Sequence, residues 1–236
     1  MYKDFMVRLI MKSNTGDYAN GAGFHIGNGY IVTARSVIEQ NTIETISRDE
    51  FSYEQINVKN TFFPSDPLVD LALLETDFSL RDYQKQEVNT ADGSKPTKKA
   101  GFIPLGGHLD DWLGDELELS RVLVMGYPPI PFSRYPVLVA VEGEVNAIID
   151  KYYGPHPHFI ISPIPRGGFS GGPVISEYDF LLGVFVESLL EGDKVVETGF
   201  ASVLSIEPLL VLLHENDIHI DKNPNILDDI ADREPS

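Results

Sequence analysis

The pattern of apolar and polar positions predicts many short strands. Residues 5–12 alternate as a strand does, 22–26 follow a Gly/Asn-rich turn, and 30–37 follow Gly27-Asn28-Gly29. The Asn28-Gly29 pair suits a tight two-residue hairpin turn. A further strand is expected at 56–62, and 69–75 reads as a largely buried one. From 79 to 104 the chain turns polar around Lys95-Pro96-Thr97-Lys98-Lys99, a connection between two groups of strands or a long surface loop.

The second group is expected at 119–127, 137–149, 159–162, 174–176, 181–187 and 195–203. Residues 206–215 form the best helix candidate, with Ser205 as its cap and Pro208 in its first turn. Two groups of short strands closed by a helix argue for an all-β protein of two barrels. The expected divisions are a first barrel over 1–95, a connection over 96–118, and a second barrel with its helix over 119–220. The acidic, proline-containing stretch 221–236 is either disordered or a linker to further domains.

Composition narrows the partners. The formal charge is −18, from 36 acidic and 18 basic residues, so phosphate backbones would repel the chain and nucleic acid is a poor ligand. No apolar run has the length of a membrane span. The chain has no cysteine, and its first ten residues lack the apolar core and cleavage site of a signal peptide. Both features lead to the expectation of a reducing cytoplasm. No histidine spacing resembles a zinc site, so neither metal nor cofactor is expected.

The chemistry concentrates at Arg166-Gly167-Gly168-Phe169-Ser170-Gly171-Gly172-Pro173. Gly168 to Gly172 fits the G-x-S-x-G nucleophile elbow, but that motif leads from a strand into a helix. Here Pro173-Val174-Ile175-Ser176 is strand-like, so the elbow fails on context. Two readings remain: a glycine-rich turn between strands, or a loop whose backbone N–H groups converge on an oxyanion.

Four motifs in order resemble those of the trypsin-like (chymotrypsin-fold) serine proteases, particularly the bacterial, cysteine-free kind related to the heat-shock proteases. Gly21-Ala22-Gly23-Phe24 and Ile31-Val32-Thr33-Ala34 resemble the hairpin that leads into that family's T-A-x-H-V motif. Val69-Asp70-Leu71-Ala72-Leu73-Leu74 resembles its D-[IL]-A-L-L motif. Val124-Met125-Gly126-Tyr127-Pro128 resembles its G-Y-P strand, and Gly168 to Pro173 matches G-x-S-G-G-P. The resemblance implies two six-stranded antiparallel Greek-key barrels with a C-terminal helix. It also implies a nucleophile at Ser170, an orienting acid at Asp70, and oxyanion donors at Gly168 and Ser170, with a polypeptide as substrate or ligand.

Two departures bear on activity. Phe169 stands where relatives activated by propeptide cleavage carry an aspartate, so that ion pair cannot form. More important, the position of the general base is Ser36. The triad histidine takes the nucleophile's proton and returns it to the leaving group. A serine hydroxyl is far too weak a base for this near neutral pH. Its loss is worth on the order of 10⁶ in turnover, while about 10³–10⁴ over water can persist from the oxyanion hole and binding. The expectation is a serine peptidase domain inactive as written; the alternative is a non-enzymatic peptide-binding or scaffold module. A natural loss and a deliberate replacement leave the same sequence.

His25, His108, His156, His158, His214 and His219 all lie away from the motif position. By the same resemblance, Ile164 forms the base of the primary pocket, Val186-Glu187-Ser188 its substrate-facing strand, and Gly199-Phe200-Ala201 the opposite wall. An uncharged Ile164 implies a preference for small or apolar side chains. The strand from Val186 can pair with an extended peptide through backbone hydrogen bonds, an interaction that needs no base.

Overall fold

The computed structural model describes residues 2–47, 56–78, 105, 117–133, 137–150, 156–162, 167–190 and 197–220. The first group of strands is β1 (Met6–Ser13), β2 (Tyr18–Gly27), β3 (Tyr30–Thr33), β4 (Asn41–Ser47), β5 (Val58–Phe62) and β6 (Ala72–Thr76). The second is β7 (Arg121–Gly126), β8 (Val139–Asp150), β9 (Pro157–Ser162), β10 (Pro173–Ser176), β11 (Leu181–Leu190) and β12 (Glu197–Ser205). A short helix, α1, spans Arg35–Ile38, and α2 spans Glu207–Glu215.

All strand pairs within the two sheets are antiparallel. The first sheet has the order β4-β1-β2-β3-β6-β5, and the second closes as β10-β11-β12-β9-β8-β7. Taken round the ring, both follow one Greek-key sequence, in which the third strand neighbours the sixth. Among the described residues the first sheet has no ladder between β4 and β5. There the backbone N–H of Ile56 donates to Ile46 O at 3.0 Å, one bond across the gap. The all-β, two-barrel, trypsin-like fold is therefore present, with its first barrel, among the described residues, closed less completely than its second.

Three apolar clusters hold it. One fills the first barrel around Val7, Leu9, Ile31 and Leu74. Another fills the second barrel around Phe159, Phe169, Val174 and Val203. The third lies between the sheets and includes Met6, Ala22, Phe24, Leu71, Tyr127 and Val184, with Leu209 and Leu212 of α2 packed into it. Burying a side chain of this size contributes about 1.5–3 kcal/mol, so the seam is a core in its own right.

Several local expectations shift. Residues 30–37 do not run on as one strand: β3 ends at Thr33, and Arg35–Ile38 is helical. β4, unmarked by the pattern, alternates half-buried and exposed positions as an outer strand does. Ser205 does not cap α2; Ile206 occupies that position with no side-chain cap, and the buried Ser205 Oγ has no hydrogen-bond partner among the described residues. Pro208 does sit in the first turn. Of the expected connection, Leu105 forms an isolated bridge with Leu181. The lysine cluster, His108, Ile164, Arg166 and residues 221–236 lie outside the described residues. Among the described residues no helix is long and apolar enough to cross a membrane, and no group of His, Asp or Glu is arranged to hold a metal ion.

Candidate active site

Ser36 and Asp70 meet directly. Asp70 sits between Val69 and Leu71, both buried in the seam, and a turn at Asp66 leads into it. Adjacent residues of extended backbone point to opposite sides, so anchoring both neighbours turns Asp70 away from the seam core. Its carboxylate accepts the Ser36 backbone N–H at 2.6 Å on Oδ1 and the Ser36 hydroxyl at 2.8 Å on Oδ2. The Arg35 N–H adds a third, weaker interaction.

These bonds explain why α1 forms where a strand was expected. The first N–H groups of a helix have no partner within it. Ala34, at the cap position, provides no side-chain acceptor. Asp70 supplies one from a distant part of the chain. Arg35 is held beside the site by Glu39 at 2.7 Å and by stacking of its guanidinium 4.9 Å from the Phe63 ring centroid.

Burial pushes the Asp70 carboxyl above the ordinary carboxylate range, and the nearby Glu187 charge pushes the same way. The donors from Ser36 and Arg35 oppose this without cancelling it. Glu187, exposed on β11, is thereby placed on the same side of the molecule as Asp70.

Ser170 lies on a turn fastened to three separate elements. Its carbonyl accepts Ala22 N–H at 3.0 Å, tying the second barrel to β2. Gly171 N–H donates to Phe185 O at 2.9 Å, and Phe185 N–H returns a bond to Gly172 O at 2.9 Å, fixing the turn to β11. Tyr127 N–H donates to Gly168 O at 2.8 Å. On the first-barrel side, Ala22 O also accepts the buried Thr33 hydroxyl at 2.8 Å.

Two of the loop's glycines are required by geometry. Gly168 has φ +94°, and a Cβ there would lie 2.4 Å from Tyr127 O. Gly171 has φ +82°, and its Cβ would lie 2.3 Å from Thr33 Oγ1 and 2.8 Å from Ala34 N. A side chain at either position is excluded by conformation and by space. The Gly171 contact also brings the Ser170 loop against the residues that lead directly into Ser36. Phe169 is buried against Phe185 in the second barrel, so an apolar anchor occupies the position next to Ser170.

The remaining predicted residues scatter around this centre. Val186 is buried in the seam, while Glu187 and Ser188 pair with Ser202 and Ala201 of β12. Ala201 is fully buried in the second barrel's cluster, and Gly199 is exposed with φ +95°. His25 accepts Gly29 N–H at 3.0 Å and packs edge-on to Phe78. His156 lies 3.4 Å from Glu207, His158 faces His156 O at 3.1 Å, and His219 lies 3.2 Å from Asp217. Sequence reasoning missed Thr33 and Ala22 as the brace of the loop. Both lie inside quoted motifs, but nothing in their residue types marks them as a tie between barrels.

Comparison with known proteins agrees with this geometry. Among curated proteins no sequence relative matches the chain. The fold is similar to the Rv3671c protease from M. tuberculosis in its active form, with TM-score 0.60 and 18% identity, covering 94% of this chain and 83% of that one. It is similar to a Glu endopeptidase solved with MPD, with TM-score 0.61 and 11% identity, covering 90% and 89%. It is also similar to the HtrA-type protease AlgW solved with a tripeptide, with TM-score 0.61 and 15% identity, covering 92% of this chain and 61% of that one. At such identities these structures speak for the fold. The sequence itself matches the trypsin-like peptidase domain over residues 21–184, a span holding Ser36, Asp70 and the Ser170 loop, and the chain belongs to that family.

Proposed function

We propose that this chain is a trypsin-like serine peptidase domain that keeps Ser170 and a peptide-binding cleft but does not turn over substrate, because Ser36 stands at the position of the base. The observation that carries this reading is the pair of bonds from Ser36 to Asp70. The hydroxyl spends its hydrogen on the carboxylate at 2.8 Å, and the backbone N–H holds the other oxygen at 2.6 Å. A hydroxyl so placed satisfies the acid without supplying a basic nitrogen for the Ser170 proton. His25, His156, His158 and His219 are engaged elsewhere.

Gly168 and Ser170 are the oxyanion donors in this reading, and Val186, Glu187 and Ser188 form the peptide-facing edge. Gly199 and Ala201 border the primary pocket, with Ile164 at its base. The ligand is polypeptide, bound in extended form by backbone pairing.

The test is Ser36→His. Peptidase activity should appear, with a gain of up to about 10⁶ in turnover, the magnitude a triad base is worth. Adding Ser170→Ala should abolish it. A folded Ser36→His protein inert towards a broad peptide library and towards an active-site serine probe would overturn the proposal.

A further inference from the structure

β11 breaks its register where it reaches the site. Phe185 pairs with Val203 and Glu187 with Ser202, so Val186 and Glu187 together oppose one residue of β12. Phe185, Ala201 and Val203 all belong to the second barrel's interior. Ser202 stands between Ala201 and Val203 and faces the other way, the side on which Leu204 enters the seam. Strict alternation would send Glu187 into the barrel with Phe185. The extra residue turns it out, and Glu187 emerges exposed on the side of Val186 and Ser202.

Asp70 stands on that side. Val186 shares the seam cluster with Val69 and Leu71, the two neighbours of Asp70, and the Glu187 charge acts on the Asp70 carboxyl. The groups that donate to Asp70 are the Ser36 hydroxyl and the backbone N–H groups of Ser36 and Arg35, none of them a cation. Two carboxylates held close disfavour each other's charge, and a cation bound between them relieves both. A third oxygen lies on the same side. Ser202, directly across from Glu187, is fully buried, and its hydroxyl has no hydrogen-bond partner among the described residues. A buried hydroxyl left in that state is unfavourable and calls for a donor.

Both acids belong to segments that touch the turn carrying Ser170. Gly171 N–H donates to Phe185 O at 2.9 Å, two residues before Glu187 on β11. A Cβ at Gly171 would lie 2.8 Å from Ala34 N, two residues before Ser36, which is bonded to Asp70. At about 3.3 Å per extended residue, Glu187 is about 7 Å along β11 from the Gly171 contact. A peptide paired with β11 and held at Ser170 passes Glu187 within about two residues.

We propose that Glu187, turned out by the bulge towards Asp70, is a specificity-determining residue that takes a lysine or arginine side chain of the bound peptide, next to the residue held at Ser170. This rests on the reading that the cleft binds peptide, and it adds a charge preference to that reading. No group of His, Asp or Glu among the described residues is arranged to hold a metal ion, so the cation that fits is a side chain. The formal charge of −18 draws basic peptides to the whole surface, whereas the Glu187–Asp70 pair fixes where along the peptide the positive charge must fall.

The test uses the full chain. A library of extended peptides in which one Lys, or a matched norleucine, is moved through every position is passed over immobilised protein, and retention is read by mass spectrometry. Lys should be enriched about tenfold over norleucine at one position, the scale of a charge-assisted hydrogen bond. Glu187→Gln should remove that positional peak. Glu144→Gln removes the same unit of charge from β8, at the opposite end of β7 from Tyr127, and should leave the peak in place. A Lys preference spread evenly over all positions, or a peak unchanged in Glu187→Gln, overturns the proposal.

A second measurement needs no variant. The side-chain carboxyl carbon resonances of Asp70 and Glu187 are followed in the unaltered chain during titration with N-acetyl-lysine methylamide and with its norleucine counterpart. Movement of both resonances with the lysine compound alone supports the subsite, and equal or absent movement overturns it. Peptides retained without a positional Lys peak would refute the subsite and leave the peptide-cleft reading standing. Movement of both resonances with no library member retained would do the reverse.

Discussion

Replacing Ser36 by alanine removes one donor to Asp70 and leaves the backbone donor in place. The lost bond is short, at 2.8 Å, and its acceptor is a carboxylate. Hydrogen bonds to charged groups contribute about 1.5–3 kcal/mol, but Ser36 is exposed and water can take the vacated position. The expected destabilisation at neutral pH is therefore about 1 kcal/mol, or about 2–4 °C in Tm for a chain of this size. It should shrink in acid. Burial holds the folded Asp70 carboxyl above its unfolded value. The protonated native form thus contributes stability that is complete below the unfolded value and is lost as pH rises through the folded one. Removing the hydroxyl raises the folded value further, so the variant falls behind the parent most at neutral pH and least where Asp70 is protonated in both. Urea denaturation from pH 7 to pH 3, with Asp70 followed through its carboxyl carbon resonance, measures both effects. In an Asp70→Asn background the Ser36→Ala loss should be smaller, which isolates the pair. A stability difference constant across pH, or an Asp70 titration identical in parent and variant, would refute the reasoning.

Two further substitutions test the brace between the barrels. Gly171→Ala should destabilise the protein by about 3 kcal/mol or more, because a left-handed backbone and backbone contacts leave no room for a methyl group; chemical denaturation showing a loss below about 1 kcal/mol would contradict the packing described. Thr33→Val keeps the shape of the side chain but removes the buried hydroxyl bond to Ala22 O, with an expected loss of about 1–3 kcal/mol by denaturation. In the Ser36→His background, Thr33→Val should also slow labelling of Ser170 by a serine-directed probe, since Ala22 holds both Thr33 and Ser170.

What the sequence disclosed depended on whether the cause was local. The hairpin at Asn28-Gly29 was legible because both residues adopt positive φ, +49° and +84°, and their types favour it. The glycines of the Ser170 loop were legible for the same kind of reason, since the motif carries its own conformational requirement. Residues 34–37 were misread because their helical turn is stabilised by Asp70, far away in the chain. Ser205 has the right residue type for a cap but ends β12, and Ile206 takes the cap position instead. β4 escaped notice because an outer strand alternates half-buried with exposed positions and shows little apolar contrast.

The survival of Asp70 and the glycine loop beside Ser36 has a structural explanation that needs no catalysis. Asp70 accepts the N–H groups that open α1, so its loss would leave those donors without their acceptor whether or not a base stood at position 36. The Ser170 loop is held by Ala22, Tyr127 and Phe185, and these bonds do not involve Ser36. Gly168 and Gly171 are dictated by close backbone approach to the first barrel and to Tyr127. Asp70 and the glycine loop are thus maintained by folding, while the Ser36 side chain, exposed to solvent, adds only about 1 kcal/mol to it. A fold of this kind can lose its chemistry through one residue and keep the cleft's shape. Under the proposed function, that asymmetry makes Ser36→His the decisive substitution: if the scaffold has been kept by packing and capping alone, an imidazole at position 36 is all that has to be supplied.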